Sequence, residues 1–365
     1  MSLKAGIVGL PNVGKSTLFN AITKKNILVA NYPFATIEPN VGIVTVPDER
    51  LTKLEEIYIP EELKPATFEF VDIAGIVKGA SLGEGLGNKF LSHIREVDAI
   101  VEVVRCFDDK EITHVDGSVD PIRDVEVINL ELALADLEII NNRIDKIKKK
   151  AETTKEKETV LEYNALTKAK EALEKDIPLR LVDFTKDEMF AIKGFNFLTL
   201  KPHIYLANIS ENEIKLENDY VKKLKEYAKG ENSKVIVVSA KIESELAELE
   251  DSDKEEMLNE LGIEKSGLDK LIEESYNLLG LKTYFTCGPK EVKAWTYKDG
   301  MNAKECAGII HSDFEKGFIK AEVISYNDLI EAGSELKVKE NGKFRIEGKE
   351  YLMQDGDICH FRFNL

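Results

Sequence analysis

The chain has 365 residues, of which 43% are hydrophobic, and a net charge of −17. This length and apolar content predict two or three globular domains, while the acidic excess argues against a general nucleic-acid-binding surface and against sequence-specific DNA contact. No apolar run reaches the length of a membrane span, and the four cysteines form no CxxC pair. We therefore expect a cytoplasmic protein with reduced thiols and no membrane partner.

From residue 4 to about residue 126, short apolar runs alternate with amphipathic stretches, and this alternation is typical of βαβ units with a parallel sheet. The runs read KAGIVGL, STLFNAIT, ATFEFVDI, GNKFLSHIREV and DAIVEVVRC. The pattern resumes after residue 200 with KPHIYLANI and SKVIVVSAK. Residues 1–128 and 201–280 are thus predicted to form one interrupted α/β domain.

Residues 9–17 read GLPNVGKST, which satisfies the phosphate-loop pattern G-x-x-x-x-G-K-[ST] between a predicted strand and a predicted helix. Glycines let backbone N–H groups converge on phosphate oxygens, and the helix N-terminus favours an anion. Lys15 would supply its charge to the β- and γ-phosphates as a catalytic group, and the Ser16 hydroxyl would ligate Mg²⁺. The predicted phosphate-binding residues are Asn12, Val13, Gly14, Lys15, Ser16 and Thr17.

A second strand, TFEFVDIAG, ends in Asp72-Ile73-Ala74-Gly75. Asp72 could hold magnesium through water, and the N–H of Gly75 could contact the γ-phosphate during catalysis. Between the two motifs lies NYPFATIEPNVG, in which Thr36 could close on the same ion. Ser16, Thr36 and Asp72 are therefore the predicted magnesium ligands.

The insertion, residues 129–200, and the tail, residues 281–365, have patterns of their own. Apolar residues recur at spacings of three and four on both sides of the polar KKKAETTKEKE, which predicts two long helices in an antiparallel hairpin. In the tail, KEVKAWTYKDG alternates like a strand, and ELKVKENGKFRIEGKEYL is predicted to be a hairpin turning at Asn341-Gly342. Between them, one helical face is predicted to hold Ala303, Cys306, Ala307 and Ile310. The tail is therefore expected to be a small α+β domain.

The loop after the strand KPHIYLAN is expected to read the base. Many nucleotide-binding proteins have Asn-Lys-x-Asp here, and its Asp accepts two hydrogen bonds from guanine; this chain has Asn-Ile-Ser-Glu. Glu211 is one methylene too long for that position and Ile209 removes the lysine, so the preference for guanine should relax. A second loop, VSAK, should touch the base edge. The predicted base-contacting residues are Asn208, Ile209, Glu211, Ser239, Ala240 and Lys241.

Activation of the attacking water needs an unusual source, because Ile76 stands where Ras-like enzymes place a glutamine. His114, in a polar loop at the carboxyl edge of the sheet, could accept a proton from the water or orient it. Asn12 could instead help to hold a K⁺ ion beside the phosphates. The residues leave both candidates open.

With these motifs the chain resembles the Obg-like ATPase (YchF) family of the translation-factor class of P-loop GTPases. The resemblance spans nearly the whole chain and includes GIVGLPNVGKSTLFNAIT, DIAGIVKGASLGEGLGNKFLSHIREVDAI, ANISE and VKAWTYKDG. It implies a GTPase-like P-loop NTPase domain, a coiled-coil arm at residues 129–200 and a TGS domain, a ubiquitin-like β-grasp, at residues 281–365. It also implies that ATP is preferred over GTP and that the ribosome or its RNA is a partner.

Three other interpretations remain. A small-molecule kinase would share the phosphate loop, but such kinases commonly have an Arg-rich lid, whereas this insertion is Lys-rich and helical. A GTP-preferring GTPase is the second. The third is an RNA- or ribosome-binding module in which hydrolysis is incidental, because residues 141–175 contain 10 basic and 7 acidic residues within an acidic chain.

Overall fold

The computed structural model describes residues 3–24, 40–74, 86–109, 111–115, 117–154 and 156–364. The chain divides into two compact units. The first consists of Met1–Gly42 and Glu69–Lys270, and the second of Ile43–Phe68 and Leu271–Leu365.

Strands and helices alternate in the first part of the chain, and two long helices follow. The elements of the N-terminal half are β1 (Lys4–Val8), α1 (Lys15–Lys24), β2 (Val41–Thr45), α2 (Glu49–Tyr58), β3 (Glu62–Lys64), β4 (Thr67–Asp72), α3 (Leu86–Arg95), β5 (Ala99–Arg105), α4 (Pro121–Thr153) and α5 (Lys157–Leu173). Those of the C-terminal half are α6 (Lys186–Ile192), β6 (His203–Asn208), α7 (Asp219–Gly230), β7 (Lys234–Val238), α8 (Ala240–Leu246), α9 (Asp251–Leu261), α10 (Gly267–Leu278), β8 (Leu281–Cys287), β9 (Glu291–Lys298), α11 (Ala303–Ile310), α12 (Ser312–Lys316), β10 (Phe318–Ser325), α13 (Tyr326–Ala332), α14 (Glu335–Glu340), β11 (Arg345–Glu347) and β12 (Asp357–Phe363). Within the described residues, no helix has the length and apolar character that a membrane span needs.

The predicted α/β domain with its interruption is confirmed. Its sheet has the order β2-β4-β1-β5-β6-β7, and β1 pairs in parallel with both β4 and β5. β5 and β6, from the two separate stretches of sequence, also pair in parallel and are buried along their whole length, as central strands covered on both faces are. β7 pairs in parallel with β6 as well, so the carboxyl ends of five strands share one edge, where ligands of open α/β sheets bind.

The predicted helical hairpin is also confirmed, and its first helix begins earlier than residue 129. Asp120 caps α4 by accepting from the backbone N–H groups of Ile122 and Arg123, and Pro121 occupies the first turn. The two helices pack through a buried apolar cluster that includes Ile140 and Leu166. α4 is therefore one unbroken helix from the nucleotide-binding part of the chain to the turn of the arm.

The second unit contains a sheet of order β11-β10-β12-β8-β9-β3. The predicted helical face in α11 is confirmed, since Ala303, Cys306 and Ala307 are buried in its core and Ile310 packs against it. β3 pairs in parallel with β9, and residues 46–66, which connect β2 and β4, fall in this unit, whereas the sequence-based boundaries placed them in the nucleotide-binding domain. The TGS assignment of the tail stays a prediction.

The predicted hairpin that turns at Asn341-Gly342 is wrong, since a helix precedes these residues and the strand that follows them, β11, pairs with β10. Residues 335–340 form α14, because Ser334 caps the helix by accepting from the N–H of Lys337. Gly342 has φ +69°, and the N–H of Lys343 donates to the carbonyl of Val338 at 3.0 Å. The Asn-Gly pair thus ends a helix, where a left-handed glycine is as useful as in a hairpin turn.

Candidate nucleotide-binding site

The two glycines of the phosphate loop have no room for a side chain. Gly14 has φ +94°, and a Cβ there would lie 2.2 Å from Nδ2 of Asn208. A Cβ on Gly9 would lie 2.9 Å from the carbonyl oxygen of Val103 on β5. Close packing against β5 and β6 therefore requires glycine at both positions, independently of the space that a phosphate needs.

The loop leads directly into the first turn of α1. Lys15 is the first residue of this helix, and the N–H of Leu18 closes its first hydrogen bond on the carbonyl of Gly14 at 3.0 Å. The earlier N–H groups of the helix have no partner within it and face the loop, which suits a phosphate. Ser16 and Thr17 are exposed, whereas Val13 is buried and can offer a ligand only its backbone.

The end of β4 lies beside the phosphate loop. Lys15 Nζ forms an ion pair with Asp72 Oδ1. The structure thus brings together a predicted phosphate-binding cation and a predicted magnesium ligand. Thr36 and Gly75 lie outside the described residues.

The donors at this point suit magnesium better than a transition metal. The Asp72 carboxylate and the exposed Ser16 hydroxyl are hard oxygen ligands of the kind that Mg²⁺ combines with substrate phosphates. Among the described residues, no group of three or more His, Cys, Asp or Glu side chains could hold a metal ion by itself.

Asn208 connects the phosphate loop to the second base loop. Its Nδ2 donates to the carbonyl of Val13 at 2.8 Å, and its Oδ1 accepts from the N–H of Ala240 at 2.9 Å. Asn208 is 3% exposed. Its amide therefore fixes the spacing of two loops, a role that is not evident from the sequence, which indicated a base contact.

Three of the other predicted base contacts are buried. Ile209 packs with Val104 and Tyr205 in the core beside β6, and Ala240 is also buried. Ser239 is buried as well, and within the described part of the chain its Oγ has no hydrogen-bond partner. Ile209 and Ala240 can therefore contact a base only through their backbones. The isoleucine that replaces the lysine of the guanine motif packs in the hydrophobic core.

Glu211 and Lys241 join the two base loops at the surface. Lys241 Nζ lies 2.5 Å from Glu211 Oε2, and the hydrogen bond raises the pKa of the lysine. The side chain of Glu211 is 36% exposed and that of Lys241 is 64% exposed. The carboxylate that replaces the guanine-reading Asp is thus engaged by a cation from the opposite loop.

The loop between β5 and α4 is held by a buried arginine. Arg105 is 1% exposed and donates to the carbonyls of Phe107, Asp109 and Ile112. The next carbonyl along the loop, that of Thr113, accepts from Asn12 Nδ2 at 3.2 Å. The backbone leading to His114 is therefore tied to the phosphate loop.

The side chain of His114 points to the start of α4. Its Nε2 lies 2.8 Å from Asp124 Oδ2, and its Nδ1 lies 3.4 Å from Nη2 of Arg123. His114 and Asp124 are both buried. Sequence reasoning missed Arg123 and Asp124, although Asp120-Pro121 is a helix-start signal that places both in a first turn beside this loop.

The glycine-rich loop at a helix N-terminus, the adjacent acidic strand end and the two base loops at the sheet edge together define a P-loop nucleoside triphosphate-binding protein. A family model described as a 50S ribosome-binding GTPase matches residues 4–161. A second, YchF-GTPase_C, described as a protein of unknown function, matches residues 281–364.

Relatives cover the full length of the chain. The ribosome-binding ATPase YchF of Bacillus subtilis is 61% identical, and that of Escherichia coli O157:H7 is 51% identical, each with 100% of both chains covered. A solved structure of the Schizosaccharomyces pombe YchF GTPase is 43% identical, with a TM-score of 0.91 over 99% of this chain and 98% of that one. The chain belongs to the YchF family.

Replacing Asn208 should loosen the site, because its amide joins the phosphate loop to the loop that contains Ala240. Asn208→Ala leaves the carbonyl of Val13 and the N–H of Ala240 unpaired, and each lost bond should cost about 1–3 kcal/mol of unfolding free energy. Nucleotide affinity should fall with it. Denaturant unfolding and binding of a fluorescent nucleotide measure the two effects.

Asn208→Asp is the matched variant, since it keeps the acceptor for Ala240 and loses the donor to Val13. At a pH where Asp is ionised, its effect should be at least as large as that of Asn208→Ala, because a buried carboxylate oxygen would then face the carbonyl of Val13. Wild-type stability and affinity in Asn208→Ala would show that the bridge has no role.

Proposed function

We propose that this chain is a Mg²⁺-dependent nucleoside triphosphatase that hydrolyses ATP in preference to GTP and acts in the cytoplasm as a nucleotide-gated switch on the ribosome. The observation that supports it best is the phosphate loop with Lys15 paired to Asp72. The names of the two bacterial relatives include both ribosome binding and ATPase activity. The fungal relative is named a GTPase, so the names alone leave the preferred base undetermined.

The residues assign the phosphate chemistry as follows. Ser16, Asp72 and Thr36 would hold magnesium, which when bound neutralises charge on the β- and γ-phosphates. When nucleotide binds, Lys15 would leave its ion pair with Asp72 and bind the phosphates, because a compact ammonium group can pair with a carboxylate or with a phosphate. The N–H of Gly75 would contact the γ-phosphate.

Two groups are proposed for the place of the missing glutamine. His114 would receive a proton from the attacking water, since its loop is tied to the phosphate loop through Asn12 and Thr113. Asn12 lies in the phosphate loop and has φ 64°. It would help to hold a K⁺ ion that adds positive charge at the transition state. The two proposals are compatible, since they use different residues.

The preference for adenine is inferred from Glu211. A guanine clamp needs a carboxylate that is free to accept from the ring N–H and the 2-amino group. Here Lys241 engages that carboxylate. A site without the two acceptors loses its advantage for guanine, and backbone groups of the two loops remain available to the adenine 6-amino group. The alternative is a GTP-preferring enzyme.

The arm is the proposed ribosome contact. Near its turn, Lys146, Lys148, Lys149 and Lys150 are exposed. Clustered lysines on a protruding hairpin can bind phosphates of ribosomal RNA although the whole chain is acidic. The alternative is a ribosome-binding module in which hydrolysis is incidental.

Separate titrations of ATP and GTP against the purified protein with Mg²⁺ should show tighter binding of ATP. Tighter binding of GTP would overturn the base assignment and leave the fold unaffected. Glu211→Asp, which restores the shorter carboxylate, should shift the ratio toward GTP by about tenfold, or 1.4 kcal/mol. Glu211→Gln is the control, because it removes the charge at the original length and should produce no such shift.

Hydrolysis should be faster in KCl than in NaCl at equal ionic strength, because the smaller Na⁺ fits a site built for K⁺ poorly. Initial rates of phosphate release at saturating ATP measure the difference. Asn12→Ala should remove it. Equal wild-type rates in the two salts would eliminate the ion, and nucleotide affinity measured in both salts separates binding from turnover.

Ribosomes should raise the hydrolysis rate, and the arm lysines should carry part of the contact. Replacing Lys146, Lys148 and Lys149 by Ala should weaken cosedimentation with ribosomes and make it less dependent on salt. The matched control replaces three exposed lysines of α7, Lys222, Lys223 and Lys225. Equal ribosome binding by both triple variants would show that these lysines are not part of the interface. A variant that cannot hydrolyse ATP but still functions in cells would favour the binding-module alternative.

A further inference from the structure

We propose that the first turn of α4 controls His114: Asp124 positions the imidazole for catalysis, and Arg123 blocks the ring nitrogen that would take the proton. The proposal rests on the proposed role of His114 in activating water. It assigns two residues that no motif of the nucleotide site contains.

The backbone around His114 is fixed, so the control acts on its side chain. Arg105 holds the preceding loop through three carbonyls, and Asn12 holds Thr113. The carbonyl of His114 accepts from the N–H of Gly117 at 3.1 Å. A change in what the imidazole contacts therefore does not require the loop to leave the phosphate site.

Asp124 determines which ring nitrogen can act as a base. An ionised carboxylate only accepts hydrogen bonds, so the contact of 2.8 Å places the ring hydrogen on Nε2. Nδ1 then has the lone pair. Asp124 is 2% exposed, which keeps water from competing for the contact. This is the arrangement in which a buried carboxylate holds a histidine in one tautomer and stabilises the imidazolium that forms.

Arg123 faces that lone pair. A guanidinium has donors only, and its Nη2 lies 3.4 Å from Nδ1 of His114. The same group donates to the carbonyl of Ser118 at 2.6 Å and to Asp124 Oδ1 at 3.1 Å. Its contact with His114 is longer, and therefore weaker, than these two bonds, which keep the guanidinium close by.

The chemical step follows once Arg123 moves away. The water oxygen bonds to the γ-phosphorus and the bond from that phosphorus to the β–γ bridging oxygen breaks, so ADP leaves. The water proton passes to Nδ1, and the resulting imidazolium keeps its Nε2–H on Asp124 until the proton is released to phosphate or solvent. No oxidant or other co-reactant is needed.

The position of the two residues connects the step to the arm. Both lie in the first turn of α4, which continues without a break to Thr153 at the turn of the arm. A partner that binds the arm would act on this first turn so that the Arg123 side chain leaves Nδ1 of His114 while Asp124 stays in contact with Nε2. The contact between Arg123 and His114 would therefore keep the basal hydrolysis rate low, and its loss in a complex with the partner would raise that rate.

The test uses the full-length protein, with steady-state ATP hydrolysis and fluorescent-nucleotide binding. Arg123→Ala should raise basal kcat about fivefold with KM unchanged, because one competing hydrogen bond is removed. Arg123→Lys, which restores a donor, should return kcat toward wild type. Asp124→Asn should lower kcat by about tenfold or more, since an amide can donate to Nε2 and impose the other tautomer.

A spectroscopic readout separates positioning from general damage. The chain has five histidines, so long-range ¹H–¹⁵N spectra can resolve the tautomer of His114, with His114→Asn providing the assignment. We expect the Nε2–H form in wild type and in Arg123→Ala, and its loss in Asp124→Asn. Arg143 lies farther along α4 and forms an ion pair with Glu162 of α5. Arg143→Ala is the control and should leave kcat unchanged.

The outcomes are distinct. If His114→Ala keeps wild-type turnover, the proposed role of His114 fails and this inference fails with it. If His114→Ala is inactive and Arg123→Ala has wild-type kcat, only the blocking role is overturned. A rate gain in Arg123→Ala that persists in the double variant with His114→Ala would also overturn it. The positioning role is overturned if Asp124→Asn keeps both kcat and the wild-type tautomer.

Discussion

The site depends on parallel pairing between strands that are far apart in the sequence. β1, β4, β5 and β6 end at the same edge because each pairs in parallel with a neighbour, and Ile7 lies opposite Asp72 as Arg105 lies opposite Asn208. This register brings Lys15 to Asp72 and the amide of Asn208 to the phosphate loop. A parallel sheet requires crossover connections, and one of these connections contains the arm.

The buried polar groups at this edge act mainly on loops. Asn208 joins Val13 to Ala240, and Arg105 donates hydrogen bonds to three backbone carbonyls. Because an unpaired buried polar group is costly, each such residue fixes the loop geometry that satisfies it. A nucleotide would thus meet a largely preformed edge, and the groups that would exchange partners are the charged ones, such as Lys15 and Arg123.

Much of the fold could be predicted from periodicity. The parallel strands, the helical hairpin and the buried face of α11 were all predicted correctly from the spacing of apolar residues. The hairpin at Asn341-Gly342 was not, because Asn-Gly suits a helix end as well as a tight turn and the cap at Ser334 decided for helix. The placement of residues 46–66 also escaped prediction, since β3 has three residues and its pairing with β9 leaves no local pattern.

The sequence by itself determined the class of site. Residues 9–17 require a phosphate loop, Asp72 follows a strand, and Asn-Ile-Ser-Glu replaces a guanine motif. It also determined the family, through motifs that span nearly the whole chain. The tertiary structure alone decided what these residues touch: Asn208 bridges two loops, Ile209 is in the core, Glu211 pairs with Lys241, and His114 faces the start of the arm helix. The physical reason is that a motif encodes residue types along the chain, whereas hydrogen-bond partners arise from strand register and helix starts tens to hundreds of residues away.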